Sequence, residues 1–345
     1  IMAYTSIDDP TLYFNTKLYT GNGSTNAITG VGFQPDWVWT KGRNDTYSHM
    51  LYDSVRGATK ELNSHLTDAE TTVTNSLTSF DSDGFSLGSF GESNDTSQAF
   101  VSWNWKAGGT ASSNTDGSIT SNVSVNSTSG FSIVSYTGTG STASVGHGLG
   151  SKPDLIISKI RSTTGDWNVY HDSFALNERI KLNSGAAKNT NTSIFSSLPT
   201  SSVVHIGNGG DINTSSGNHI FYCFKSVKGF SAFGSYVGNG STDGTFVYTG
   251  FLPAFTMIKR VTDATEGWIM QDNKTGTINP IDNFLGANST AATSVTTNAH
   301  IDYVSNGFKL RHNDTRGNTA DKTYIYWSFA SNPFVTSTGI PTTAR

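Results

Sequence analysis

The sequence predicts an all-β chain built as three tandem antiparallel β-sandwich repeats, with one merged assembly of three pseudo-equivalent units as the second reading because the connections between repeats are short. Three observations carry this: a short signature occurs three times, the same order of strand-like segments follows each copy, and the composition suits strands and turns. Tyr19-Thr20-Gly21-Asn22-Gly23-Ser24-Thr25 returns as Tyr136-Thr137-Gly138-Thr139-Gly140-Ser141-Thr142 and as Tyr236-Val237-Gly238-Asn239-Gly240-Ser241-Thr242. The copies start 117 and 100 residues apart, too far for a solenoid unit and suited to a small domain.

Charged residues make up 14% of the 345, well below the roughly 25% of ordinary soluble proteins. Ser, Thr, Asn and Gly fill the difference, as in short strands joined by many turns. Aromatics at 12% supply large apolar surfaces and argue against disorder. The net charge of −4, without a Lys/Arg run, gives no footprint for a nucleic-acid partner. No apolar run approaches the ~20 residues of a membrane span, so no membrane insertion is expected. Met2-Ala3-Tyr4-Thr5 lacks the charged and apolar regions of a signal peptide. The one cysteine, Cys223, lies in the apolar run Ile220-Phe221-Tyr222-Cys223-Phe224 and reads as a buried filler rather than a nucleophile.

In chain order, residues 1–17 form an N-terminal arm expected to dock on a neighbouring subunit or to fray. The first repeat, 18–109, continues from its glycine turn through Gly32-Phe33-Gln34-Pro35-Asp36 into Trp37-Val38-Trp39-Thr40-Lys41. Proline fixes the backbone where no ladder donor is needed, and Trp37 and Trp39, two apart, share a face. His49-Met50-Leu51-Tyr52-Asp53 is a second strand, 54–79 has room for a helical turn, and Ala99 to Trp105 closes the unit. Residues 110–130 are a linker, or an added strand because Ile119, Val123 and Val125 sit at even intervals. The second repeat, 131–229, and the third, 230–334, follow the same order, and 335–345 is a C-terminal tail. Pro35, Pro153 and Pro253 stand 16, 17 and 17 residues after the signature tyrosines, and Lys41, Lys159 and Lys259 each stand six residues further on.

Chemistry is sparse. The Gly-x-Gly turn lacks the Lys-Ser/Thr and following helix of a phosphate loop and reads as a turn between strands. The eight histidines form no His-x-His or His-Glu-x-x-His pattern, so no metal site is expected. Asp81-x-Asp83-Gly84 is a fragment of a calcium loop that reads as a turn. No Gly-x-Ser-x-Gly elbow stands on a strand-helix junction, and the carboxylates Asp53, Glu61, Glu70 and Glu92 have no matched set in the other repeats. No catalytic residue and no cofactor are therefore assigned, and the chain is expected not to be an enzyme. Trp37, Trp103, Trp167, Trp268 and Trp327 recur in strand-like segments and are expected in the core. Ligand contacts are expected instead from the loops after the repeated lysine, 42–48, 161–166 and 260–267, which differ most between repeats. Their candidates are Arg43, Asn44, Asp45, Arg161, Asp166, Arg260 and Asp263.

Laid out together, the signatures resemble a repeat family common in predicted virion proteins of marine tailed bacteriophages. The resemblance rests on the Tyr-Thr-Gly-Asn-Gly-Ser-Thr turn, Gly32 to Asp36, Asp53-Ser54-Val55-Arg56-Gly57, Phe80-Asp81-Ser82-Asp83-Gly84-Phe85 and Trp103-Asn104-Trp105-Lys106-Ala107-Gly108-Gly109. Phe131 to Tyr136, Tyr170-His171 and Phe233 to Tyr236 continue it over nearly the whole chain. The second repeat departs most, with Val204-His205-Ile206-Gly207 where the others carry Asp/Asn-Gly-Phe. The resemblance implies jelly-roll or lectin-like repeats in a structural component of the virion, a tail fibre above all. Recognition of a host-surface glycan is an added expectation. Capsid decoration without a ligand and a glycan-degrading tail enzyme are the alternatives. The expected partners are other virion proteins and further copies of the chain, in a homo-oligomer for which a trimer is favoured.

Overall fold

The computed structural model describes residues 3–263 and 266–342. Strands take up 43% of the chain and helices 4%, so the fold is all-β, and every pairing between its named strands is antiparallel.

One sheet order recurs in all three repeats. In the first, Phe14–Thr20, Ala99–Trp105, Trp37–Gly42 and Met50–Asp53 lie side by side. Phe131–Thr137, Asn218–Phe224, Leu155–Ile160 and Asn168–His171 repeat that order, as do Ser231–Val237, Thr323–Pro333, Phe251–Arg260 and Ile269–Asp272. The first and last strands of a repeat are thus neighbours. A smaller sheet packs on each larger one. It is formed by Asn26–Thr29, Gly84–Leu87 and Leu77–Asp81 in the first repeat, by Ala143–Gly146 and Val203–Ile206 in the second, and by Phe246–Tyr248, Gly307–Leu310 and Ile301–Val304 in the third. This two-layer packing gives the chain its β-sandwich character. Residues 110–130 do enter the second repeat's sheet, as the two strands Ser112–Asn114 and Ser121–Asn126 beside Phe131–Thr137. Segment 54–79 holds short strands rather than a helical turn; among the described residues the α-helical turns are Gly91–Asn94 and Gly210–Asn213, with 3-10 turns at Pro10–Leu12 and Thr297–Ala299.

The signature turn is held by a clasp. Tyr19, Tyr136 and Tyr236 donate their hydroxyls to the carbonyls of Ser93, Ile212 and Gly317 at 2.8, 2.5 and 2.7 Å. The next residue in each case is a fully buried asparagine, Asn94, Asn213 or Asn318. Its amide nitrogen donates to Ser24, Ser141 or Ser241 at 2.6–2.8 Å, and its oxygen accepts from the backbone of Asn22, Thr139 or Asn239 at 2.8–3.1 Å. The glycine here is a packing requirement: a Cβ on Gly21 would lie 2.1 Å from the Asp95 carbonyl oxygen.

Both faces of each larger sheet are buried. Val38 and Tyr52, Ile156 and Phe221, and Ile258 and Tyr324 face the smaller sheets in three separate outer cores. The alternate residues Trp37, Trp39, Trp103 and Trp105 share a fourth, larger core with Ile157, Tyr222, Phe224, Phe255, Met257, Trp327 and Phe329. That core belongs to no single repeat. Trp37 stacks on Tyr222 at 4.4 Å, Phe14 on Phe329 at 4.9 Å, and Trp103 meets Phe255 edge-on at 5.7 Å. A void of about 10 Å³ at the centre is at the lower limit for one water, so the rings fill the space between the sheets.

The arm packs on the third repeat of its own chain. Ile7 is buried, Tyr4 donates to the Gly250 carbonyl at 2.9 Å, and Asp8 accepts from the Ser337 backbone at 2.6 Å. Arm and tail are therefore tied to each other at the point where the chain returns to its start.

Candidate functional site

The repeated lysines lead to the junctions between repeats. Lys41 is two residues beyond Trp39 and faces the same way, toward the shared core; all three lysines are fully buried. Each ammonium donates to the carbonyl of the residue after it, Gly42, Ile160 or Arg260, at 2.7–3.0 Å. Each also reaches a different repeat: Lys41 donates to Thr290 at 3.1 Å, Lys159 to Thr67 at 3.2 Å and Lys259 to Gly185 at 2.8 Å. The contacts run from repeat 1 to 3, from 2 to 1 and from 3 to 2, so they close a ring. Burial lowers the pKa of Lys41 and Lys159 to about 8 and that of Lys259 to about 7, because desolvation disfavours the charged form.

Further bonds repeat the same cycle. Backbone amides of Thr293, Glu70 and Lys188 donate to the carbonyls of Arg43, Arg161 and Val261 at 2.8, 2.8 and 3.1 Å. His49, Trp167 and Trp268 each directly precede a matched strand. The His49 Nε2 lies 2.9 Å from the Gly286 carbonyl oxygen, and the two indoles donate to Asn63 and Lys181 at 2.9 and 3.0 Å. Trp103 donates to Asp272 at 3.1 Å and Tyr222 to Asp53 at 2.7 Å. Strand register puts His171, not Asp172, at the position of those two acids, since Trp37, Leu155 and Phe255 pair with Asp53, His171 and Asp272. Burial lowers the His171 pKa to about 4, and burial raises that of Asp272.

The seven residues expected to bind ligand lie along these junctions and do not converge on one pocket. The Arg43 carbonyl is in a junction bond, the Asn44 side chain accepts from the Ala99 amide at 3.1 Å, and Asp45 accepts from the Thr46 amide at 2.6 Å. Arg161 grips Glu70 of the first repeat through two bonds, at 2.9 and 3.0 Å. Asp166 pairs with Lys181 at 2.5 Å, Arg260 donates to the Thr262 carbonyl at 2.8 Å, and the exposed Asp263 pairs with Lys322 at 2.7 Å. Positions 264 and 265 of the third loop lie outside the described residues.

The calcium-like fragment acts as a turn: Asp83 accepts from the amides of Gly30 and Gly32 at 2.9 and 2.7 Å. Cys223 is fully buried, which pushes its thiol pKa up. Among the described residues, no three His, Cys, Asp or Glu side chains gather in a way that could hold a metal ion. Surface depressions of about 410, 380 and 240 Å³ lie beside Asn279 and His300, between Thr128 and Lys225, and against Trp268 and Arg316.

Sequence reasoning missed the clasp asparagines and Asp272, and it read Asp53 as a carboxylate without a match, whereas strand register makes Asp272 its equivalent in the third repeat. The clasp had a faint signal, an asparagine just before the closing strand of each repeat, but its neighbours Ser93, Ile212 and Gly317 share no chemistry. No curated protein and no solved structure matches the chain. Residues 9–333, spanning all three repeats, match the model of a family described as a domain of unknown function (DUF7483), and the chain belongs to that family.

Proposed function

We propose that the chain is a non-enzymatic structural protein of a bacteriophage virion, a tail fibre or other tail appendage that meets the host surface. The observation that carries this reading is the cycle of buried junction bonds. Lys41, Lys159, Lys259, Asp53 and Asp272 are ionisable groups, and each is used to tie one repeat to another or to cap a turn. A rigid body with weakly charged outer faces suits an exposed particle surface. In this reading each repeat is a lectin-like, jelly-roll sandwich, and the body assembles with other virion proteins and with further copies of itself, as a trimer in a fibre.

Capsid decoration is the second reading, favoured by the threefold cycle within one chain, which matches a threefold position on a capsid lattice. A density map of the intact virion tests both. The tail reading expects the fold in an appendage, and density on the capsid lattice would overturn it. Incubating the protein with host polysaccharide tests the non-enzymatic part: unchanged chain length is expected, and shortening would contradict it.

A further inference from the structure

Two aromatic rings stand out on the third repeat because the fold does not require them. Phe246 and Tyr248 flank the buried Val247 on an edge strand and are 47% and 56% exposed. Val247 pairs with Phe308 as Ile28 pairs with Phe85 and Val145 with Val204. The equivalent outward pairs are therefore Ala27 and Thr29 in the first repeat and Ser144 and Gly146 in the second. In the second repeat this edge is also covered, since Ile119 bridges to Val145 and Ser118 bonds Ser144. In the third the rings face solvent.

The rings are held in place. A Cβ on Gly307 would come within 3.1 Å of the Phe246 ring, so the ring lies over the glycine. The Tyr248 and Tyr4 hydroxyls are 3.0 Å apart, and Tyr4 is fixed in turn by the Gly250 carbonyl and by the Lys228 ammonium, 4.2 Å from its ring centre. Lys309, paired across from Phe246, begins a chain of ion pairs: Lys309–Asp243 at 2.5 Å, Asp243–Arg311 at 3.2 Å and Arg311–Asp302 at 3.4 Å.

We propose that Phe246 and Tyr248, with this ion-pair chain at their end, form a platform for an uncharged hexopyranose polysaccharide; the proposal rests on the host-attachment reading above. Exposed ring faces stack on the C–H faces of sugars, and the flanking charged groups supply donors and acceptors for hydroxyls. Within the ion-pair chain two acids and two bases cancel, and Lys228 is engaged over the Tyr4 ring, so the patch does not select a charged polymer. The edge strand has three residues, too few ladder positions for addition of a protein strand to be the better reading.

The test is an array of immobilised oligosaccharides of uncharged hexoses, with uronic-acid and sialylated sets beside them, probed with the full chain. The double variant Phe246→Ala, Tyr248→Thr installs the first repeat's own residues. It should bind the uncharged set at least about tenfold more weakly, equivalent to ~1.4 kcal/mol, with an unchanged thermal midpoint. Asn44→Ala with Asp263→Asn, in the junction loops, should bind like the wild type. Undiminished binding by the Phe246/Tyr248 variant would overturn the platform and leave glycan recognition standing elsewhere on the chain. Wild-type binding to no saccharide would overturn both, and binding to the charged sets alone would replace the platform with an ionic site.

Discussion

The junction between repeats 2 and 1 and the junction between repeats 3 and 2 use the same strands in the same register but close on different chemistry. In the first, Tyr222 donates to Asp53, Asp53 pairs with Arg56, and Arg56 reaches Glu70 at 3.2 Å, which receives Arg161. In the second, His171 takes the place of Asp53, bonds Ser173 at 2.8 Å through Nδ1, and is buried enough to be neutral at pH 7. Both junctions keep the lysine-to-carbonyl and indole-to-carbonyl bonds. The ring is thus set by apolar shape and by donors aimed at backbone carbonyls, and the ionic network is a local addition.

Removing a partner from the charged junction should have the largest effect. Asp53→Ala leaves Arg56 buried beside Glu70 alone and should cost about 3–5 kcal/mol, read by denaturant unfolding. Tyr222→Phe keeps the ring stacked on Trp37 and removes one hydrogen bond to a carboxylate, a loss of about 1.5–3 kcal/mol. His171→Asn in the neutral junction should cost about 1 kcal/mol. A cost equal to that of Asp53→Ala would show that the two junctions do not differ as described.

Titration separates the junctions further. The folded pKa of His171, about 4, lies below the ~6.5 of an unfolded histidine. Its contribution is therefore complete above pH ~6.5 and lost as pH falls toward 4. His171→Asn should flatten that part of the stability curve. Glu70 is held below its ordinary value; burial opposes this, but bonds from Arg161 and Arg56 outweigh it. Its contribution is present above pH ~4.3 and disappears only at lower pH, so Glu70→Gln should act below the histidine window. The buried lysines have the most alkaline signature. With folded values near 7–8 against ~10.4 unfolded, stability should rise between about pH 7 and 10. Lys259→Met should reduce that rise.

Strand positions were legible because period-two alternation survives in Trp37-Val38-Trp39 and Trp103-Asn104-Trp105. The repeat was legible because the Tyr–Pro–Lys spacing tolerates only one insertion. The function of the spacing was not. Lys41 marked the start of a variable loop, but its partner, Thr290, is 249 residues away, and only closure of the ring brings the two together. The same closure explains why the loops looked variable: each fits a different neighbouring loop. Asn94 was invisible for a related reason, since it acts on Asn22 from 72 residues away.

The central claim is that three sequence repeats fold as one cooperative body around a shared core. Calorimetry tests it most directly. A single transition, with the calorimetric enthalpy equal to the van't Hoff enthalpy, is expected. Three resolved transitions, or a calorimetric enthalpy about three times the van't Hoff value, would contradict it.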